Sequence, residues 1–391
     1  MASFNRRNFL RTSGISILPA LIPFASVLAR GTHTKQSSPP GSTIIKFFGD
    51  GETFEPGEYL TELQHAHAAT AIIRDRYGSG GVVEALEKKF AELTGKEKSI
   101  FMPTGTMANQ LAIAVLSGEN TKIFVQDTSH VYRDEADAAQ SVFNKRLMPL
   151  AKNETYFTAQ QLQNAIENLG NEEVFRSGVG AVSIESPVRR TDGRAVPLDE
   201  IIKISSYCRK NKIGLHLDGA RIFMASAWTG TPVKEYASHF DTVYISLYKY
   251  FGAGAGAVLS GPAAVIDKMG HLMKIHGGAM YSNWTNATMA LHRLEGFETR
   301  LQNAVKASNE IFSALNKLPG IQVKALDGGT NIYNMELAKE IDGKKMQSTL
   351  NKDFNIRMPR PNDRNQTQLT VNETLLYQPA DYVINAFKKS I

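Results

Sequence analysis

Residues 241–258 read DTVYISLYKYFGAGAGAV: a β-branched and aromatic run, one lysine, then glycines alternating with alanine. The run before Lys249 has the composition of a strand buried on both faces, and a second short strand, GAVLSG, follows almost at once. Only the Lys249 loop separates them. It is too short for a parallel crossover, so the pair is expected to be antiparallel. Lys249 itself has two readings, an ammonium snorkelling to water from a strand end or an amine that holds a covalent partner.

Upstream, short β-rich runs alternate with helical patterns: KSIFMP then TMANQLAIAVLSG, TKIFVQD then VYRDEADAAQSVF, GVGAVSIES then LDEIIKISSYCRKN, and KIGLHLDGA. This alternation predicts an α/β fold with a mostly parallel sheet, crossover helices on both faces and one antiparallel strand. After about Gly277 the pattern becomes one long helix over 286–318 and then a smaller α+β tail. The expected division is a large cofactor domain with an N-terminal arm over 43–285 and a small C-terminal domain over 286–391.

Before Thr43, GTHTKQSSPPGS is polar and proline-rich, a flexible lead-in over 30–42. Ahead of it, Arg6-Arg7-Asn8-Phe9-Leu10-Arg11 and the weakly apolar run to Ala29 resemble a twin-arginine export signal, with Val27-Leu28-Ala29 suited to cleavage after residue 29. The apolar run is short and proline-broken for a bilayer crossing, so no stable membrane insertion is expected once the signal is removed. Removing 29 of 391 residues also removes three arginines and no acids, and the formal charge falls from +6 to +3. A charge that small, without a basic run, argues against nucleic acid and for a small-molecule partner. Cys208 is the only cysteine, which excludes an intrachain disulfide and any cysteine-clustered metal site; no metal is expected.

Ligands of open parallel sheets sit at the carboxyl ends of strands, so the polar residues that follow each predicted strand form the candidate site. Thr104, Gly105 and Thr106 open a helix whose free N–H groups and hydroxyl suit a phosphate. His130 stands where an imidazole can lie over a flat ring, Asp218 where a carboxylate can pair with a ring nitrogen, and Lys249 supplies an amine, with Ser246 three residues earlier. A phosphate cradle, a ring stacker, a nitrogen partner and an amine make up the inventory of pyridoxal phosphate chemistry. Glycines 252, 254 and 256 precede a strand rather than open a helix, which argues against a dinucleotide loop.

The motifs PTGTMANQ, HVYRDEA, HLDGARIF and SLYKYFGAGAGAVL, in this order, resemble the threonine aldolase and β-eliminating lyase family of fold-type-I pyridoxal 5'-phosphate enzymes, over essentially all of residues 45–391. The resemblance implies the aspartate-aminotransferase-like fold with a seven-stranded sheet. It implies that Lys249 carries the cofactor as a Schiff base, that Asp218 keeps the pyridine nitrogen protonated and that His130 stacks on the ring. Arg221 would approach the ring hydroxyl or the substrate, and Gly105, Thr106 and Ser246 would hold the phosphate. It also implies a homodimer or homotetramer in which Tyr77 reaches a partner's site.

The rim departs from the family pattern. Where the family carries F-R-S-D-T this chain has Phe47-Phe48-Gly49-Asp50-Gly51, and where R-L-V-T-H supplies a carboxylate-binding arginine it has Gln368. E-N-T-H-N is replaced by Glu185-Ser186-Pro187-Val188, followed by Arg189 and Arg190; Y-G-E-D-P-T and G-G-G-M-R-Q also differ, at 77–82 and 277–282. Arg189, Arg190, Arg357, Arg360 and Arg364 are the candidates to replace the lost anchor, since a guanidinium grips a carboxylate in bidentate fashion. The expected substrate contacts are therefore Tyr77, Arg189 and Arg221.

The resulting expectation is an exported, periplasmic lyase that cleaves Cα–Cβ of a β-hydroxy-α-amino acid to glycine and an aldehyde, with His130 or a water it orients as the base. The alternatives are β-elimination, racemisation or transamination of another amino acid or amine, and a cofactor-binding protein without turnover.

Overall fold

The structure, a computed structural model, describes residues 44–391. The export signal and all of the lead-in lie outside the described residues.

Twelve strands are present among them: β1 Ile45–Lys46, β2 Lys98–Met102, β3 Lys122–Gln126, β4 Arg146–Leu150, β5 Val179–Glu185, β6 Gly214–Asp218, β7 Thr242–Ser246, β8 Ala257–Gly261, β9 Ile321–Ala325, β10 Ile332–Leu337, β11 Ile356–Arg357 and β12 Gln366–Thr370. Seven form the central sheet in the order β2-β8-β7-β6-β5-β3-β4. The pairs from β4 through β3, β5 and β6 to β7 are parallel, while β8 runs antiparallel to both β7 and β2, as the short Lys249 loop requires. Every residue of β3, β7 and β8 is buried, which is why these strands read as unbroken apolar runs rather than alternating ones.

Two expectations need correcting. The helix read from VYRDEADAAQSVF is two short helices, His130–Arg133 and Ala138–Phe143, parted where Ala136 and Asp137 take positive φ. The long helix over 286–318 is also two, Trp284–Leu294 and Phe297–Leu315, because Gly296 between them is left-handed at φ 66°.

Strand order reverses between β3 and β5, adjacent strands that are not consecutive in the chain. There the Gln126 carboxamide donates to the Glu185 carbonyl and accepts from the Glu185 N–H, each at 2.8 Å, extending the pairing by a side chain where the ladder ends. This switch point is where the fold leaves a crevice for a ligand.

One large apolar cluster joins the sheet to its helices through residues such as Phe124, Val182, Leu217 and Tyr250. A second holds β9, β10 and β12 against the Phe297–Leu315 and Ala380–Ser390 helices, with Met335 and Phe387 fully buried. Ile45 and Phe47 belong to this second cluster, and β1 pairs in parallel with β11. From there the chain turns back to the central sheet: a Cβ on Gly51 would lie 2.8 Å from the Tyr250 backbone, so only glycine lets the two backbones approach so closely.

Candidate active site

The carboxyl ends of β3, β5, β6 and β7 bring His130, Glu185, Asp218 and Lys249 to one cavity of about 270 Å³, also lined by Gly105, Thr106, Glu135 and Tyr244. An outer space of about 600 Å³ shares His130, Lys249 and Tyr248 with it and adds Asp50, Thr53, Asp134, Arg189 and Arg221. Of the seven residues expected to hold the cofactor, Gly105, Thr106, His130, Asp218 and Lys249 line the inner cavity, Arg221 lines the outer space, and Ser246 lines neither.

Lys249 follows β7 by three residues, and its Nζ lies 5.8 Å from the centroid of the Tyr248 ring. Burial, followed by the Arg221 charge, lowers its pKa, with Asp218, Asp50 and Glu185 opposing. A depressed lysine presents more free amine near neutrality, which is what a nucleophilic role needs. Snorkelling would instead leave the ammonium in water.

Asp218 ends β6 and is 2% exposed. Its Oδ1 accepts from the Ala220 N–H at 3.2 Å and its Oδ2 from Asn109 Nδ2 at 3.0 Å. The same Nδ2 donates to Glu135 Oε1 at 2.8 Å, and Glu135 Oε1 also faces His130 Nδ1 at 3.1 Å. A carboxylate can only accept, so Nδ1 carries the hydrogen and Nε2 is the free ring nitrogen. The Glu135 hydrogen bond raises the His130 pKa against the opposing effect of burial, and Asp218 adds to the rise.

Glu185 is buried at the end of β5 and receives the N–H groups of His130 and Arg189 at 2.7 and 2.9 Å. Burial, with Asp218 nearby, pushes its pKa up to about 7. Neither Glu135 nor Glu185 was singled out from sequence, although both stand inside motifs that were.

A flat phosphorylated ring fits these residues. The Gly105–Ser117 helix is capped by the Thr104 hydroxyl, which accepts from Met107 N–H at 3.1 Å and leaves the earlier N–H groups of Gly105 and Thr106 at the cavity wall. Ser246 adds an orphaned polar atom. Its buried hydroxyl makes no hydrogen bond of normal geometry, although it lies close enough to the Tyr244 phenol to lower that group's pKa against the larger effect of burial.

On the substrate side, Arg221 Nε bonds both Asp50 oxygens, at 3.0 and 2.9 Å, with each side chain 16% exposed. Asp134 is gripped through two bonds by Arg190, which with burial opposing keeps its pKa low, while Arg189 approaches it only at 3.4 Å and stays 55% exposed. Arg189 is therefore the loosely held guanidinium of the outer space. Arg190, Arg357, Arg360 and Arg364 line neither cavity. Gln368 lies on the face of β12 with its amide 3.3 Å from Asn334.

Tyr77 lies elsewhere. It stacks edge-on against Tyr281 at 5.3 Å beside a separate cavity of about 710 Å³ whose walls include Ser79, Glu87, Met273 and Asn283. That cavity is larger than the other two, but neither the lysine nor the imidazole lines it. Within one chain Tyr77 does not meet the other candidate substrate residues.

The beta-eliminating lyase family matches residues 60–338. The low-specificity L-threonine aldolase of Candida albicans is 34% identical over 54% of this chain and 56% of its own length. The probable low-specificity L-threonine aldolase of Schizosaccharomyces pombe is 33% identical over 61% and 62%. The chain thus spans under two thirds of the length of each. Among solved structures, a candidate L-allo-threonine aldolase of Listeria monocytogenes superposes with a TM-score of 0.72 at 23% identity, covering 89% of this chain and 96% of that one. That likeness is one of fold, the fold-type-I architecture expected from the motifs.

Proposed function

Because the chain belongs to the beta-eliminating lyase family, we propose that it uses pyridoxal 5'-phosphate to cleave Cα–Cβ of a β-hydroxy-α-amino acid, giving glycine and an aldehyde. The observation that carries this reading is the convergence of Lys249, Asp218 and His130 on one cavity at the switch point. The relatives named above, both L-threonine aldolases, support the substrate class.

Bound pyridoxal phosphate supplies an electron sink for the pair left at Cα when the bond breaks. Everything else falls to the chain. Lys249 offers an amine whose pKa is already lowered by burial and Arg221. Asp218, held in place by Ala220 and Asn109, retains a proton on the ring nitrogen. His130 Nε2 takes the β-hydroxyl proton, so that Cβ leaves as a carbonyl and Cα later regains a proton to give glycine. Glu135 fixes the tautomer that leaves Nε2 free for this. Arg221 and the loosely tethered Arg189 grip the substrate carboxylate, replacing the arginine that Gln368 lacks.

Export through the twin-arginine route to the periplasm is part of the proposal and rests on the RRNFLR context and the apolar run behind it. So is a homodimer or homotetramer, supported by the exposed group Ile73, Tyr77, Ile275, Met280 and Tyr281.

Incubation of the mature protein and cofactor with L-threonine or L-allo-threonine tests the reaction. Glycine and acetaldehyde in equal amounts are expected, and Lys249→Ala should abolish both. Amino acids consumed without aldehyde would move the reading to β-elimination, racemisation or transamination.

A further inference from the structure

Asn109 is fully buried on the helix whose first N–H groups line the cavity, and its part in the reaction above is limited to holding Asp218. Its amide is nonetheless saturated in one sense only. Both Nδ2 hydrogens go to carboxylates, one to Asp218 Oδ2 at 3.0 Å and one to Glu135 Oε1 at 2.8 Å. Its Oδ1 lies 2.9 Å from Nε2 of the fully buried His216, whose Nδ1 lies 2.8 Å from the Thr242 hydroxyl.

The hydrogens can be placed throughout this chain. Oδ1 accepts, so His216 Nε2 donates; Nδ1 of the neutral ring then accepts from Thr242. Burial holds His216 neutral, lowering its pKa to about 4. A flipped amide would point its oxygen at two carboxylates and lose both of those bonds. The two carboxylates therefore fix the direction in which Asn109 donates, and His216 takes the tautomer that matches it.

We infer that Asn109 is a positioning residue that couples the two carboxylates of the site, holding Asp218 and Glu135 in orientations that serve different partners. The inference rests on the proposed function for what those partners do: Asp218 faces the ring nitrogen and Glu135 the imidazole. Ligand oxygens of the two acids and the His130 ring nitrogen all lie within 4.8 Å of one another. One amide hydrogen on each acid holds the two carboxylates in the orientations their partners need. Without them Glu135 is no longer aimed at Nδ1, and His130 loses part of the hydrogen bond that keeps it basic. The groups facing His130 are Glu135, Asp134, Glu185 from β5 and Asp218 from β6, with Lys249 and Arg221 across the cavity.

The test is a histidine NMR titration of the full chain without cofactor, with the His130 resonance assigned by its loss in His130→Asn. In Asn109→Leu the midpoint of the His130 titration should fall by about one pH unit, a tenfold loss of proton affinity. Asn109→Ser, which keeps one donor and is expected to fold more readily, should move it the same way by less. A folded variant of either kind with the parent midpoint would overturn the coupling. Because no turnover is measured, this outcome is independent of whether the protein proves to be an aldolase.

Discussion

Alanine at Gly51 should cost the protein both stability and its hold on Arg221. The new Cβ would lie 2.8 Å from Tyr250 Cα, 3.1 Å from its Cβ and 3.2 Å from its carbonyl oxygen. Tyr250 cannot give way. It is fully buried, with ring centroids 5.7 Å from Phe223, 4.7 Å from Phe251 and 5.5 Å from Phe297. The Gly49–Gly51 segment must move instead, and it carries Asp50, whose carboxylate bonds Arg221. Overpacking of this kind costs about 1–3 kcal/mol, and weakening a charged hydrogen bond costs about 1–3 more. At roughly 2 °C per kcal/mol for a chain of this size, Tm should fall by about 4–12 °C. Gly49→Ser is the control, because its Cβ meets nothing within 4 Å and pays only for its φ of +73°, about 1 kcal/mol. Thermal unfolding followed by circular dichroism, with KM measured beside it, reads both effects. If Gly51→Ala matched the parent in Tm and KM, the close approach would not be what holds Asp50 in place.

Three further outcomes follow from the site. Since Glu135 raises the His130 pKa and His130 must be neutral to accept a proton, activity should fail as pH drops through that raised value; Glu135→Gln should carry the acid limb of kcat/KM to lower pH, and an unmoved limb would remove His130 as the base. Arg189→Leu should raise KM for the amino acid about tenfold or more with little change in kcat, whereas an equal fall in both would place Arg189 in the transition state instead. His216 is neutral when folded, with a pKa of about 4, but takes a proton near pH 6.5 when unfolded, so its contribution is present above pH 6.5 and is lost as pH falls toward 4. Urea unfolding at pH 7 and pH 5 should show a smaller loss of stability for His216→Gln than for the parent; equal losses would discount the histidine.

The cofactor half of the site was legible because each residue stands at the end of a strand with a local signature: IGLHLD before Asp218, TVYIS before Lys249. The antiparallel β7–β8 pair followed from loop length alone. What stayed hidden depends on pairings across the chain. Asn109 reads as one helical residue among many until the fold sets it against Asp218, Glu135 and His216. β4, Arg146–Leu150, is short, carries a proline and buries only Leu147, so its apolar residues do not announce a strand. The carboxyl-terminal arginines were reasonable anchors by charge, but β11 and the turn after it point the chain elsewhere. Helix breaks at Ala136–Asp137 and at Gly296 arise from left-handed residues that a periodicity count passes over.

The pairing of β1 with β11 has a bearing on how the enzyme is made. Ile45 and Ile356 are register partners, so the segment leading to Asp50 is among the first of the described residues to be synthesised and among the last to find its place. A nascent chain can have Lys249, Asp218 and His130 all translated and still leave Arg221 without its aspartate, because β11 has not yet emerged. Completion of the substrate side therefore waits for the carboxyl-terminal lobe. A chain cut short before residue 356 would carry the lysine and the ring pocket but not the mouth that receives the amino acid, so that a finished active site reports a finished polypeptide.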